Sequence, residues 1–260
     1  MKKVFAIIIC LSAGIMSSAA QVQFVGHRGA SYIAPENTLS SAKLAWELNA
    51  DGVEIDIYYT ADNKVIVLHD GSTKRTSGGQ ADYAPKDVKA SVLRTLDMGK
   101  WKAPEYAGEK IPFLSEELKL IPKDKSKYLV IEIKTGPEIL PAMAKALKKG
   151  KRLDQCKFIS FNWNSIVETK KMYPNNACYW LSAAKNGLLD KLDEVKAAGL
   201  DGVDLEQSLI TKEVMDKCSK LGLDVWVWTV DNPESAKRCA ALGVSSITTN
   251  RPGWLREQLK

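Results

Sequence analysis

The sequence predicts an α/β protein folded as a TIM-type (β/α)8 barrel, and three observations carry that prediction. Short β-rich runs alternate with helical patterns along the chain, which is the signature of βα units around a parallel sheet. Nine strand candidates can be drawn, one more than eight-stranded closure needs, and one of them follows its predecessor too closely for a parallel crossover. Several strands carry charge on one face and aliphatic side chains on the other, which puts polar groups inside a barrel whose interior is ordinarily apolar.

Residues 1–20 stand apart from that fold. Lys2 and Lys3 precede an apolar run from Val4 to Met16 that ends in small residues from Ser17 to Ala20, the pattern of a secretory signal peptide cut near Ala20–Gln21. Cys10 follows three isoleucines rather than a small residue, which does not suit a lipoprotein-type anchor. The expectation is therefore an exported protein, periplasmic or secreted. No transmembrane anchor remains after cleavage, because no other stretch is long enough to span a bilayer.

Loss of the two lysines lowers the formal charge from +6 to +4. The excess is thinly spread and gives no reason to expect nucleic acid. Residues 21–260 contain no linker or low-complexity block and read as one barrel domain; they are silent on oligomeric state. Cys156, Cys178, Cys218 and Cys239 have spacings that suit no zinc site. Either Cys218 pairs with Cys239 on consecutive helices, or all four are free buried thiols.

The strand candidates, in order, are 22–26, 51–57, 64–69, 128–134, 157–161, 177–181, 201–206, 224–229 and 244–248. Only Thr60, Ala61, Asp62 and Asn63 separate Tyr59 from Lys64, so 64–69 is expected to return antiparallel to 51–57 as an extra hairpin strand outside the ring. A turn centred on Ala61–Asp62 sets His69 opposite Glu54. Residues from about 71 to 127 then form an inserted segment.

In the stretch Gly-Val-Glu-Ile-Asp-Ile-Tyr, Val53, Ile55 and Ile57 share one face while Glu54 and Asp56 share the other. Ile131 and Ile133 alternate with Glu132 and Lys134 in the same way, and Asp204 and Glu206 repeat the pattern. The aliphatic faces suit the outer helices. The charged faces must point inward, near the carboxyl ends of the strands where barrel enzymes keep their chemistry. Trp163, Trp180 and Trp228 lie at or just past strand ends. Trp228, in phase with Trp226 and opposite Val225 and Val227, is the candidate pocket wall.

Glu54, Asp56 and Glu132 converge if their two strands are neighbours. Uncompensated carboxylates in a cleft cost several kcal/mol or take up protons, whereas one hard divalent cation makes the same cluster a binding site. Oxygen-only ligands favour Mg²⁺ or Ca²⁺. Structural ion pairs with Arg28 and Lys134 are the other account of these acids. His27 and His69 are the only histidines of the 260 residues and each ends a strand candidate, which suits a general acid and a general base near neutral pH. Glu36 and Asp70 could orient imidazoles, or could cap a helix and a turn. Arg28 and Lys134 supply fixed positive charge that a phosphate would match. Gly26 and Gly29, flanking His27 and Arg28, would let backbone approach a ligand closely.

Taken together, His-Arg-Gly with Pro-Glu-Asn-Thr, then Glu-Ile-Asp, His-Asp, Ile-Glu-Ile-Lys and Trp-Thr-Val resemble, in order and over nearly the whole mature chain, the glycerophosphodiester phosphodiesterase family of the phospholipase C-like barrel superfamily. The resemblance implies metal-dependent hydrolysis of a small glycerophosphodiester to glycerol 3-phosphate and an alcohol, through a cyclic phosphate. It implies His27 and His69 as the acid/base pair, Glu54, Asp56 and Glu132 as ligands of one divalent cation, and Arg28 and Lys134 as phosphate binders. Two other readings stand beside it: a phospholipase D-like or lyase-like enzyme acting on (lyso)phospholipids, and an inactive exported phosphodiester-binding protein. Where many members read Trp-Thr-Val-Asn, this chain ends the motif in Asp231. That departure, like the segment after His69, is expected to bear on alcohol preference and to leave the catalytic set untouched.

Overall fold

The computed structural model describes residues 22–260; the stretch expected to be a signal peptide, with Cys10, lies outside them. Nine strands form, β1 (Gln23–Gly26), β2 (Gly52–Tyr59), β3 (Val65–Val67), β4 (Tyr128–Ile133), β5 (Cys156–Ser160), β6 (Cys178–Ser182), β7 (Gly202–Glu206), β8 (Asp224–Trp228) and β9 (Ser246–Thr249). All but β3 are parallel, and β1 pairs with both β2 and β9, which closes a ring of eight. The fold is a TIM-type barrel with β3 added antiparallel to β2 outside the ring.

The hairpin differs from the sequence expectation by one residue. Val67 lies opposite Ile57 and Val65 opposite Tyr59, and the Leu68 N–H donates to the Asp56 carbonyl at 3.0 Å. The count that set His69 opposite Glu54 is therefore wrong by one. Its cause is a three-residue loop, Ala61 to Asn63, rather than a two-residue turn. Thr60 N–H donates to the Lys64 carbonyl at 2.9 Å and Asn63 stands at φ 54°, the left-handed position that ends this kind of loop and that Asn tolerates.

The helices that follow the ring strands are α1 (Leu39–Glu47), α3 (Leu114–Leu120), α4 (Leu140–Gly150), α5 (Trp163–Met172), α6 (Leu188–Ala197), α7 (Lys212–Leu221), α8 (Pro233–Ala241) and α9 (Pro252–Gln258), with a short α2 (Ala90–Leu93) between them in sequence. Thr38, Asn162, Thr211 and Asn232 each accept a backbone N–H at an N-terminus, which satisfies donors the helix leaves unpaired. Helix α3 packs on α1 and α4. It is thus part of the outer ring, and the insertion ends near residue 113 rather than 127. What precedes α3 folds over its own apolar cluster of Ile66, Leu68, Leu93, Leu96, Met98 and Ile111.

Alternation in the strands sorts side chains to two sides. Val53, Ile55, Ile57, Ile131, Ile133, Val203, Val225 and Val227 are buried against the helices. Val25, Tyr128, Val130, Ile159, Tyr179, Leu181 and Trp226 fill the inside. Tyr179 stacks on Trp226 at 4.2 Å, and Lys157 Nζ lies 3.6 Å from the Tyr128 ring centre. Gly52 makes room for that ring, since a Cβ there would stand 2.6 Å from it. The inner apolar floor leaves the carboxyl ends of the strands for charge. Cys156, Cys178, Cys218 and Cys239 are all free and buried, so the free-thiol alternative holds. No helix among the described residues is long and apolar enough to cross a membrane.

One carboxyl outside the barrel mouth is costly. Glu117 on α3 is buried and neither of its oxygens has a hydrogen-bond partner. Burial, then Glu116 and Glu109, push its pKa well above the ordinary glutamate value. A group that binds its proton more tightly when folded loses stability as pH rises above its unfolded pKa, about 4.3. Glu117→Gln should therefore raise the melting temperature at pH 7.5, by about 2–4 °C for each kcal/mol relieved. Calorimetry at several pH values should show that gain shrinking toward pH 4, and a gain independent of pH would mean the ionised form is not what costs stability.

Candidate active site

His27 and Arg28 continue the chain just past β1. The His27 N–H donates to the Thr249 carbonyl at 2.8 Å, fixing the backbone against β9. Arg28 is held at φ 54°, uncommon for a residue with a side chain, and this aims its N–H at Glu54 Oε2, 2.8 Å away. Its guanidinium reaches Glu36 Oε1 at 2.8 Å and lies 3.4 Å from Asp56 Oδ2. The flanking glycines serve this turn. A Cβ on Gly26 would meet the Gly29 carbonyl at 2.7 Å, and one on Gly29, itself at φ 89°, would meet Ser41 of α1.

Parallel pairing sets Asp56 beside Glu132, and with Glu54 they offer three buried carboxylate oxygens within 4.8 Å of one another. Lys134 Nζ lies 2.8 Å from Glu132 Oε1 and 3.4 Å from Asp56 Oδ1. Asn37, at φ 57°, donates to Asp56 Oδ2 at 2.8 Å and accepts the Asp56 N–H at 3.2 Å. The ion pairs anticipated as an alternative are thus present, yet they do not exhaust the cluster. Glu54 Oε1 and Asp56 Oδ1 are buried without a hydrogen-bond partner.

Protonation follows from that crowding. Burial, then Asp56 and Glu132, raise Glu54 well above its usual range, and burial with Asp56 pushes Glu132 to about 8. Burial acts on Asp56 in the same direction, but Lys134 and Arg28 outweigh it and hold that carboxyl low. Arg28, Lys134 and Asn37 therefore leave buried carboxylate lone pairs unfilled. Glu54, Asp56 and Glu132 fit one hard, oxygen-seeking divalent cation.

The two imidazoles have unlike partners. His27 Nδ1 is 2.8 Å from Asn250 Oδ1, and burial, then Arg28, lower its pKa to about 4. His69 Nδ1 is 2.8 Å from Asp70 Oδ1. Arg75 clamps Asp70 through Nε at 2.7 Å and Nη2 at 3.0 Å and also forks onto Glu36 with two bonds of 2.8 Å. Asp70 is accordingly in contact with an imidazole, and the Arg75 bonds hold its carboxyl far below the usual range. Glu36 does neither thing expected of it; it bridges Arg28 and Arg75.

Of the three candidate tryptophans only Trp228 turns inward. Its Nε1 donates to the Asp204 carbonyl at 3.1 Å, and its ring meets Phe161 edge-on at 5.4 Å. Trp163 and Trp180 pack against each other on the helix side of the sheet. Asp204 is buried with Oδ1 unpartnered, and burial, then Glu132 and Asp224, push its pKa well above the ordinary aspartate range. Asn37, Arg75, Phe161 and Asn250 carry no functional assignment from the sequence. Asp231 binds Asn250, which binds His27, so the departure at 231 does reach the catalytic candidates.

Residues 27–254 match the model of the glycerophosphoryl diester phosphodiesterase family. The chain belongs to that family. It is 34% identical over 238 residues to the glycerophosphodiester phosphodiesterase of Caldanaerobacter subterraneus subsp. tengcongensis, covering 88% of this chain and 93% of the relative. It is 31% identical over 262 residues to the glycerophosphodiester phosphodiesterase of Bacillus subtilis, covering 93% and 87%. The structure of an Oleispira antarctica phosphodiesterase in complex with the product sn-glycerol-3-phosphate superposes with a TM-score of 0.84 at 26% identity, over 91% of this chain and 96% of that one.

For this member the cation site can be tested apart from turnover. Titration calorimetry with Mg²⁺ and Ca²⁺ should show the largest loss of affinity for Glu54→Gln, Asp56→Asn and Glu132→Gln. Asn37→Ala, which frees Asp56 without removing a ligand, should lose about 10–100-fold. Undiminished binding in the three carboxylate variants would remove the assignment.

Proposed function

We propose that this chain is a metal-dependent glycerophosphodiester phosphodiesterase, acting as a single domain over residues 21–260, that releases sn-glycerol 3-phosphate and an alcohol. The observation that carries the reading is the placing of two imidazoles, each held through Nδ1, at the rim of a cationic and carboxylate-lined barrel mouth. Such a mouth suits a small phosphodiester anion. A divalent cation, Mg²⁺ or Ca²⁺, held by Glu54, Asp56 and Glu132 would supply positive charge against the phosphate oxygens. Arg28 and Lys134 add fixed charge on the same side, and Trp228 with Phe161 walls the space that the alcohol would fill.

His27, kept neutral by burial and by Arg28, is assigned as the base. It takes the proton of the glycerol hydroxyl beside the phosphate as that oxygen attacks phosphorus, and His69 gives a proton to the departing alcohol oxygen. The products of this step are a cyclic glycerophosphate and the free alcohol. Water then opens the ring, with its proton and that of the released hydroxyl passing through the same two imidazoles in reverse. Retention of both tethered imidazoles counts against a silent binding protein, for which they would have no use. The Lys2–Ala20 pattern supports export as the protein's setting.

Product analysis decides the substrate class. Glycerophosphocholine and glycerophosphoethanolamine should each yield sn-glycerol 3-phosphate, the yield should vanish with chelator, and an analogue lacking the attacking hydroxyl should resist. Cleavage confined to lysophospholipid would support the lipid-directed alternative instead.

Leaving-group dependence separates the histidines. Either His→Ala change should cost about 10²–10⁴-fold with glycerophosphocholine. With a p-nitrophenyl ester, whose phenolate leaves without a proton, His69→Ala should regain most of its rate while His27→Ala stays impaired. The opposite pattern would reverse the two roles.

A further inference from the structure

Behind His27 lies a chain of side chains that ends in a carboxylate. Asp231 follows β8, and its Oδ1 accepts from Thr249 Oγ1 and from the Asn250 N–H, both at 2.8 Å. Its Oδ2 accepts from Asn250 Nδ2 at 2.5 Å. The other end of that amide, Oδ1, lies 2.8 Å from His27 Nδ1 and takes the Ser31 hydroxyl at 2.7 Å. We propose that Asp231 and Asn250 are positioning residues whose joint task is to fix the tautomer of His27. The proposal rests on the reading of His27 as the base of the phosphodiesterase reaction.

A carboxylate can only accept and an amide NH₂ can only donate, so Asp231 dictates which way round the Asn250 amide lies. Turned over, the amide would set its oxygen against the carboxylate. Held as it is, Asn250 presents an oxygen with no proton to give, so His27 Nδ1 must carry the hydrogen. The neutral ring then keeps its lone pair on Nε2, for which no protein hydrogen bond is found among the described residues, and that nitrogen is the one able to accept a proton. The amide sets the tautomer without placing a charge against the ring. His69, by contrast, meets a carboxylate directly.

The same logic predicts what each substitution does. In Asp231→Asn the new side chain would keep its oxygen toward Thr249 Oγ1 and the Asn250 N–H and turn its NH₂ toward Asn250. The Asn250 amide must then flip and offer its NH₂ to His27 Nδ1, which forces the ring into the other tautomer. In the exchanged pair, Asp231→Asn with Asn250→Asp, the donor and acceptor order is restored: the amide at 231 donates to the carboxylate at 250, which still accepts from Nδ1.

Histidine ¹⁵N–¹H correlation spectra read the tautomer directly, and with two histidines in the chain His69→Ala completes the assignment. The unmodified protein should show His27 protonated on Nδ1. Asp231→Asn should shift it to Nε2–H and lower kcat by roughly 10²–10⁴-fold, the range associated with loss of a correctly placed general base, with KM changed far less. The exchanged pair should recover the Nδ1–H form and most of kcat. A native ring protonated on Nε2, or a folded Asp231→Asn protein with an unchanged tautomer, would overturn the proposal. So would an exchanged pair that melts like the native protein yet still carries the wrong tautomer. If the spectra follow the expected pattern but no glycerophosphodiester is cleaved, the positioning device stands and the proposed substrate falls.

Discussion

Holding the carboxylates of Glu54, Asp56 and Glu132 within 4.8 Å of one another inside a barrel is the constraint to which the rest of the mouth is fitted. Without a cation, burial and mutual repulsion within the cluster raise the pKa of Glu54 and of Glu132. Everything in contact with it supplies donors. Arg28 gives its backbone N–H and its guanidinium, Asn37 an amide, Lys134 an ammonium. Two of these groups, Arg28 and Asn37, stand in the left-handed region, a strain of about 1–3 kcal/mol for such residues. It persists because both segments are bound to β2 and α1 rather than to each other alone. The Asn37 N–H donates to the Arg28 carbonyl, and the Ser41 hydroxyl bonds the same carbonyl.

Charge is kept to one end by what fills the other. Tyr128, Tyr179 and Trp226 close the interior, Tyr179 stacked on Trp226 and Tyr128 tilted against it, and burial raises the pKa of the nearby acid Asp204. A cation or a phosphate gains from carboxylates or guanidinium only where a low-dielectric floor keeps water from screening them. The branched residues on the reverse faces of the strands bind this interior to the helices, so the alternation that builds the barrel is also what aims its chemistry.

That alternation is why so much was legible beforehand. All nine strands were marked by short β-rich runs, several of them alternating with period two, and the chemically rare residues stood out, two histidines at strand ends and a Glu-x-Asp pair on one face of a strand. What escaped was set by contacts distant in sequence. Asn37 reaches Asp56 across 19 residues, Arg75 reaches Glu36 across 39, and Asn250 reaches His27 across 223. Asn near a turn is ordinary, and nothing local marks these as different. The hairpin slipped by one because a loop of two and a loop of three read alike until Asn63 is known to be left-handed. The insertion was drawn too long because α3, though sequential with it, packs with the ring.

The expectation that Asp231 lay clear of the catalytic candidates failed for an instructive reason. Its neighbours in sequence point outward from β8, but its carboxylate turns to β9, and through Asn250 it meets the first βα turn. What His27 requires is an acceptor at Nδ1, and that acceptor can be an amide oxygen backed by a carboxylate, or a carboxylate backed by an amide. Either arrangement presents the same face to the ring while exchanging which residue bears the charge. A motif position that changes from Asn to Asp is therefore not interpretable alone. Its meaning lies in whether the partner across the next strand supplies the complementary donor, and here Asn250 does.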